Sequence, residues 1–252
     1  MNLKTFAPLL LTGLVIAPPA RAATDEYGLP AGALILETQP VGADRAMMLW
    51  MSSPKKKPRI AEPDEPYTCP EETRGSHYTG PTRVSLVDTK ARRIINTVKI
   101  NHEMSTGDDE QDIPYRIHAG SYYHVEGVPE GQEGKPTILW LKDYNGDGKA
   151  LEFALFSAEA CMGLPTTLIG YSERQDRVIH YSAHLEFISE GERSIQAVHW
   201  VDYLFSREPE RPGSWKYEID YRGRGGTLDE YEIQYNEQAE RFEGKRVSTE
   251  EE

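Results

Sequence analysis

The chain is poor in cysteine, in positive charge and in long apolar runs. Two cysteines, Cys69 and Cys161, are all it has. Neither has a second cysteine nearby, so Cys-x-x-Cys redox and zinc sites are absent from the sequence. Also missing are the nucleophile-elbow pattern Gly-x-Ser-x-Gly and the zinc-peptidase pattern His-Glu-x-x-His. With 28 Lys and Arg against 41 Asp and Glu, the formal net charge is −13. A polyanionic partner, whether nucleic acid or anionic membrane, is disfavoured on that balance. No membrane partner or stable membrane insertion is expected either. The longest apolar stretch, 6–16, is shorter than the roughly 20 residues a membrane helix needs.

That stretch has a different meaning. Lys4 precedes it, Pro18 and Pro19 end it, and Ala20-Arg21-Ala22 follows as an Ala-x-Ala-like cleavage site. Residues 1–22 therefore read as a secretory signal, and residues 23–252 as a single exported β-rich domain, periplasmic or extracellular. Removing the signal takes away Lys4 and Arg21 and no acid, so the mature chain is still more acidic. In an oxidising compartment the two cysteines are expected to form a Cys69–Cys161 disulfide. In the chain-entropy picture so long a loop contributes about 4–5 kcal/mol.

Period-two patterning dominates the mature chain. In 178–187 the apolar Ile179, Tyr181, Ala183, Leu185 and Phe187 alternate with His180, Ser182, His184 and Glu186. Residues 215–221 and 231–235 repeat the pattern. Four hairpins are expected: 83–87 with 94–100, 167–171 with 178–187, 198–205 with 215–221, and 231–235 with 242–247. No helix of ordinary length stands out; 157–162 could make one turn. Residues 52–70, with five prolines and Lys55-Lys56-Lys57, read as a long loop, and so do 127–136. The fold class is all-β, built of antiparallel hairpins. The candidate architectures are a β-propeller-like or partial-propeller domain and a β-sandwich.

One motif carries chemistry. Residues 143–148 read Asp-Tyr-Asn-Gly-Asp-Gly. Calcium takes six to eight hard oxygen ligands. Asp143, Asn145 and Asp147 would supply side-chain oxygens from alternate positions, and Gly148 would let the Lys149 carbonyl point inward. Gly146 would relieve crowding between ligands. An EF-hand is excluded, since position twelve of the loop is Ala154 and the preceding 137–142 is not helical in character. The segment 137–156 instead resembles the strand–loop–strand calcium loops of FG-GAP and VCBS repeats. The resemblance implies a structural calcium ion between two propeller strands. Those repeats carry an acid where this chain has Leu151, and Glu152 stands one residue further on as its replacement. Asn-Gly and Asp-Gly are also favoured hairpin tips without metal.

Other clusters read more plainly. His180 and His184 on one strand lie ~13 Å apart, too far for one zinc. Asp108, Asp109, Glu110 and Asp112 read as a solvated loop. Tyr115, Tyr122 and Tyr123 read as core aromatics, and Arg222 to Thr227 as a flexible turn. Two functions follow. One is a non-catalytic exported domain that binds a ligand or protein partner. The other is a hydrolase whose cleft brings acids together with some of His102, His118, His124, His180, His184 and His199.

Overall fold

The computed structural model describes residues 26–57, 77–101, 111–114, 138–156 and 163–250. The described chain is all-β, with two single-turn 3-10 segments, Leu204–Ser206 and Arg222–Arg224. The signal segment, both cysteines, His102, His118, His124, Tyr115, Tyr122, Tyr123, the acids Asp108 to Glu110 and the expected turn 157–162 lie outside the described residues.

Four sheets are present among the described residues. The first runs β1-β2-β5-β6, from β1 (Leu34–Pro40), β2 (Arg45–Met51), β5 (Thr82–Asp88) and β6 (Arg93–Ile100). The β5–β6 hairpin matches the sequence expectation. Asp88 builds its tip by accepting the N–H groups of Lys90 at 3.1 Å and Ala91 at 2.7 Å. A small sheet joins β3 (Lys55–Lys57), β4 (His77–Gly80) and β7 (Gln111–Pro114) in the order β3-β4-β7. The lysine run expected in a loop is therefore strand. The third sheet contains β8 (Glu152–Phe156), β9 (Pro165–Ser172), β10 (Arg177–Tyr181) and the short β13 (Val201–Asp202), all paired on β9. The fourth runs β12-β11-β16-β15-β14, from β11 (Ala183–Ser189), β12 (Glu192–Val198), β14 (Ser214–Asp220), β15 (Leu228–Asn236) and β16 (Arg241–Thr249).

Two hairpin expectations need correction. The run 178–187 breaks at Ser182: β10 pairs with β9, while β11 passes into the fourth sheet. Alternation persists across the break because Tyr181 and Ala183 enter the same core. The pairing of 198–205 with 215–221 does not form. Tyr203 adopts a left-handed φ of 58°, which turns Leu204 and Phe205 into the core, so only Val201 and Asp202 extend, against β9. β14 pairs with β15 instead. One pairing departs from the all-antiparallel expectation: β11 and β16 are parallel, which a hairpin cannot produce.

Two cores share the third sheet. Alternate residues of β8 and β9 point opposite ways. Phe153, Leu155 and Ile169 pack with Met47, Leu49, Met51, Val84 and Leu86 of the first sheet. Ala154, Phe156 and Leu168 pack with Leu185, Trp215, Ile233 and Phe242 of the fourth. Burial on both faces explains why β8 shows no polar alternation. β2 behaves likewise, since Met48 and Trp50 face a smaller cluster with Leu29 on its other side.

Candidate functional site

The loop Asp143 to Gly148 is wound around its own acids. Asp143 accepts the Gly146 N–H through Oδ1 at 2.8 Å and the Gly148 N–H through Oδ2 at 2.9 Å. Asn145 Oδ1 accepts the Asp147 N–H at 2.9 Å, and Asp147 Oδ1 accepts the Lys149 N–H at 2.9 Å. These are successive Asx turns. Gly146 and Gly148 take φ of 81° and 87°, where a side chain is strained. Gly146 relieves crowding with a neighbouring segment and not between ligands: a Cβ there would lie 2.7 Å from the Pro212 carbonyl carbon. The expected strand before the loop is absent over 138–141. The Ile138 and Leu139 N–H groups are taken by the Glu37 carboxylate, at 2.6 and 2.9 Å, and not by a neighbouring strand. The strand after it, β8, is present.

Glu152 opens that strand directly beneath the loop, with 0% exposure. Its Oε2 accepts the Tyr144 N–H at 3.1 Å and its Oε1 accepts Asn145 Nδ2 at 3.0 Å. Both donors are neutral. Burial, with added repulsion from Asp147 and Asp143, pushes its pKa up to about 8 against the opposing pull of the loop hydrogen bonds. A carboxyl raised in the folded state favours folding at low pH and loses that contribution as pH climbs toward 8. Gly170 makes the room, since a Cβ there would sit 2.8 Å from Glu152 Cγ.

The five residues named from sequence are thus adjacent, but in unequal roles. Asp143, Asn145, Asp147 and Glu152 form one hydrogen-bonded unit. The Lys149 ammonium pairs outward with Glu173, and its carbonyl accepts the Leu151 N–H at 3.1 Å. Among the described residues no three acids or histidines converge as a preformed metal site. The side-chain donors of the loop include carboxylate and amide oxygens, the ligand type calcium takes, and an oxygen that accepts one N–H keeps a second lone pair. The loop also lies between two sheets. Tyr144 sets its ring edge on Phe205 at 5.6 Å, and a Cβ on Gly213 would meet the Asn145 carbonyl oxygen at 2.4 Å.

The histidine expectations change. His180 and His184 fall on different strands, β10 and β11. His180 stacks instead on His199, with ring centroids 4.0 Å apart and planes 14° from parallel, and it hydrogen-bonds Thr167. Burial first, then the His199 charge, lowers its pKa to about 3. A histidine held neutral in the fold leaves stability intact above its ordinary range and erodes it as pH falls below about 6.5. Between pH 7 and pH 5 the expected loss is about 1–2 kcal/mol. Urea unfolding at the two pH values measures it, and His180→Gln should flatten the dependence.

The segment Arg222 to Thr227 forms a hydrogen-bonded turn. Arg222 holds Asp220 through two side-chain bonds, at 2.9 and 2.8 Å, and Gly225 closes the turn at φ 77°.

One feature escaped the sequence reading entirely. A cleft of about 250 Å³ lies between β13 and the fourth sheet, lined by Trp200, Asp202, Phe187, Tyr231 and Arg246 among others. Its residues are dispersed along the chain, and no motif spacing joins them. No protein-family model, curated protein or solved structure matches this chain. Among the described residues no helix is long and apolar enough to cross a membrane.

Proposed function

We propose that the chain is an exported, non-catalytic binding domain whose loop from Asp143 to Glu152 takes calcium as a structural ion. The observation that carries this reading is Glu152: a fully buried carboxyl, bonded only by neutral donors, behind two further acids. Burying such a group is costly without a countercharge, and a divalent cation supplies one. Asp143, Asn145, Asp147, the Lys149 carbonyl and Glu152 would hold the ion. Its role would be to fix the loop between the third and fourth sheets. The acidic balance suits cation binding and disfavours nucleic acid. The four-stranded antiparallel sheet β1-β2-β5-β6 is the part that supports a partial-propeller reading. The layering of three sheets around two cores supports the sandwich alternative.

Calorimetric titration of the chelator-treated mature chain with calcium tests the reading. One ion per chain is expected, with binding abolished by Asp147→Ala. Absence of binding heat, or binding unchanged in that variant, would refute it.

A further inference from the structure

Among the described residues, every sheet edge but one is blunted. An edge strand offers unpaired backbone N–H and C=O groups to any other strand, and folded proteins guard such edges with bulges, charges, prolines, short strands or cover. Both edges of the first sheet are bulged: β1 carries an extra residue at Leu36 and ends on Pro40, and β6 carries one at Ile95. The small sheet is edged by the three lysines of β3 and by the four-residue β7, which ends on Pro114. In the third sheet β8 is wholly buried and β13 is two residues long. Val178 of β10 has its N–H and carbonyl taken by the Asn96 amide, at 2.9 and 2.7 Å. At one end of the fourth sheet, β14 presents Lys216, Glu218 and Asp220.

β12, at the other end, has none of these devices. A two-residue turn joins it to β11, with Glu190 and Gly191 at φ of 49° and 84°. Such a turn continues the strand twist without a bulge. The register then runs unbroken from Ser189 opposite Glu192 to Ala183 opposite Val198. β12 contains no proline. Its two charges, Glu192 and Arg193, both sit at the turn end, where Arg193 pairs with Glu186 at 3.3 Å. At the midpoint of the strand Ile195 is 78% exposed, against 44% for Trp140, the other open large apolar side chain among the described residues. A β-branched apolar residue in the middle of an unguarded edge is what natural sheets avoid unless another strand pairs there.

We infer that β12 pairs antiparallel with β12 of a second copy of the chain, joining the two fourth sheets into one. The strand is complementary to itself about a two-fold axis through Ile195. In that register Ile195 meets Ile195 of the second copy, a cross-strand apolar pair. Arg193 falls opposite Ala197 and Glu192 opposite Val198, so no like charges are opposed. Ser194 falls opposite Gln196 on the other face, where the two can hydrogen-bond. A parallel pairing in the same alignment would set Glu192 against Glu192 and Arg193 against Arg193, which is unfavourable. A foreign extended segment could reach the same edge but would gain nothing from this internal match. The two-fold axis closes the assembly at two copies. Each chain carries a net charge of −13, so the copies repel at long range, and salt should strengthen their association. Nothing in this pairing involves the calcium loop.

Sedimentation velocity of the mature chain from micromolar to millimolar concentration, in calcium and in EGTA, tests the pairing. A reversible monomer–dimer equilibrium is expected, tightening about threefold or more as salt rises from about 0.1 to about 0.5 M. Ile195→Lys sets two ammonium groups face to face across the axis and should weaken the dimer by about tenfold or more. Its melting temperature should not change, because the side chain is exposed. Introduced cysteines fix the register. Ile195→Cys places the two Cβ atoms ~5 Å apart and should give a covalent dimer under mild oxidation. Glu192→Cys separates its pair by six residues, ~20 Å, and should not. The unmodified chain, with only Cys69 and Cys161, is the control. A chain that stays monomeric throughout overturns the inference. So does a dimer indifferent to Ile195→Lys, or crosslinking at 192 equal to that at 195. Calcium uptake by a monomeric chain would remove this inference and leave the loop reading standing. Dimerisation without calcium uptake would do the reverse.

Discussion

Replacing Arg246 with alanine is expected to destabilise the fold by about 3–5 kcal/mol. The cause is the group it would leave behind. Asp229 is 1% exposed, and its two oxygens are held by Arg246 at 2.7 Å and by the Thr227 hydroxyl at 2.7 Å. Without the guanidinium, a buried carboxylate retains one neutral donor and no countercharge. The substitution also removes the planar group between the Phe187 and Tyr231 rings. Urea unfolding of Arg246→Ala measures the loss. Combining Arg246→Met with Asp229→Asn should recover most of it, because a pair removed together leaves no stranded charge. A loss below about 1 kcal/mol for the single variant would mean that Asp229 does not depend on Arg246.

Gly244→Ala is expected to cost at least about 3 kcal/mol, placing it in the severe tail of single substitutions. Gly244 sits in β16 between β11 and β15, opposite Leu185 and Ile233. A Cβ there would lie 2.1 Å from the Glu232 carbonyl oxygen and 2.8 Å from the Ile233 Cα. Both obstacles are backbone, so no side chain can swing aside, and relief requires opening the β15–β16 ladder. Gly223→Ala is the matched control. A Cβ there meets nothing within 4 Å, and the cost should stay within about 0.5 kcal/mol. Thermal unfolding of the two variants side by side separates steric exclusion from general glycine replacement.

The sequence made some parts of this fold legible through local physics. The β5–β6 hairpin announces itself because Asp88 supplies its own turn bonds. The β15–β16 hairpin follows from alternation next to a polar tip. What escaped depends on distant partners. β1 and β2 were not foreseen, because β2 runs Ala-Met-Met-Leu-Trp-Met and shows no alternation when both faces are covered. The break at Ser182 leaves the period of two intact, so patterning cannot reveal that the strand changes sheets. The parallel β11–β16 pair joins segments nearly sixty residues apart, beyond the reach of turn chemistry. The same division holds for the candidate sites. The Asp143 to Gly148 loop was readable as a motif, and its glycines do adopt the left-handed turns that such a loop requires. Glu152 could be named only as a displaced acid; its complete burial is a property of the packed third sheet. The cleft of Trp200, Asp202 and Arg246 exists only through strand pairing. The same is true of the stack of His180 on His199, where the sequence had pointed to His184.

The central claim is that calcium fixes the loop above Glu152 and so joins the third and fourth sheets. Thermal unfolding of the mature chain in calcium and in EGTA, beside Asp147→Ala under both conditions, tests it most directly. At saturating calcium the account predicts a rise of about 5–10 °C in the melting temperature of the unmodified chain. Asp147→Ala should melt at the same temperature with and without the ion. Identical melting of the unmodified chain in calcium and EGTA would contradict the account and leave Asp143 to Gly148 as a hydrogen-bonded turn.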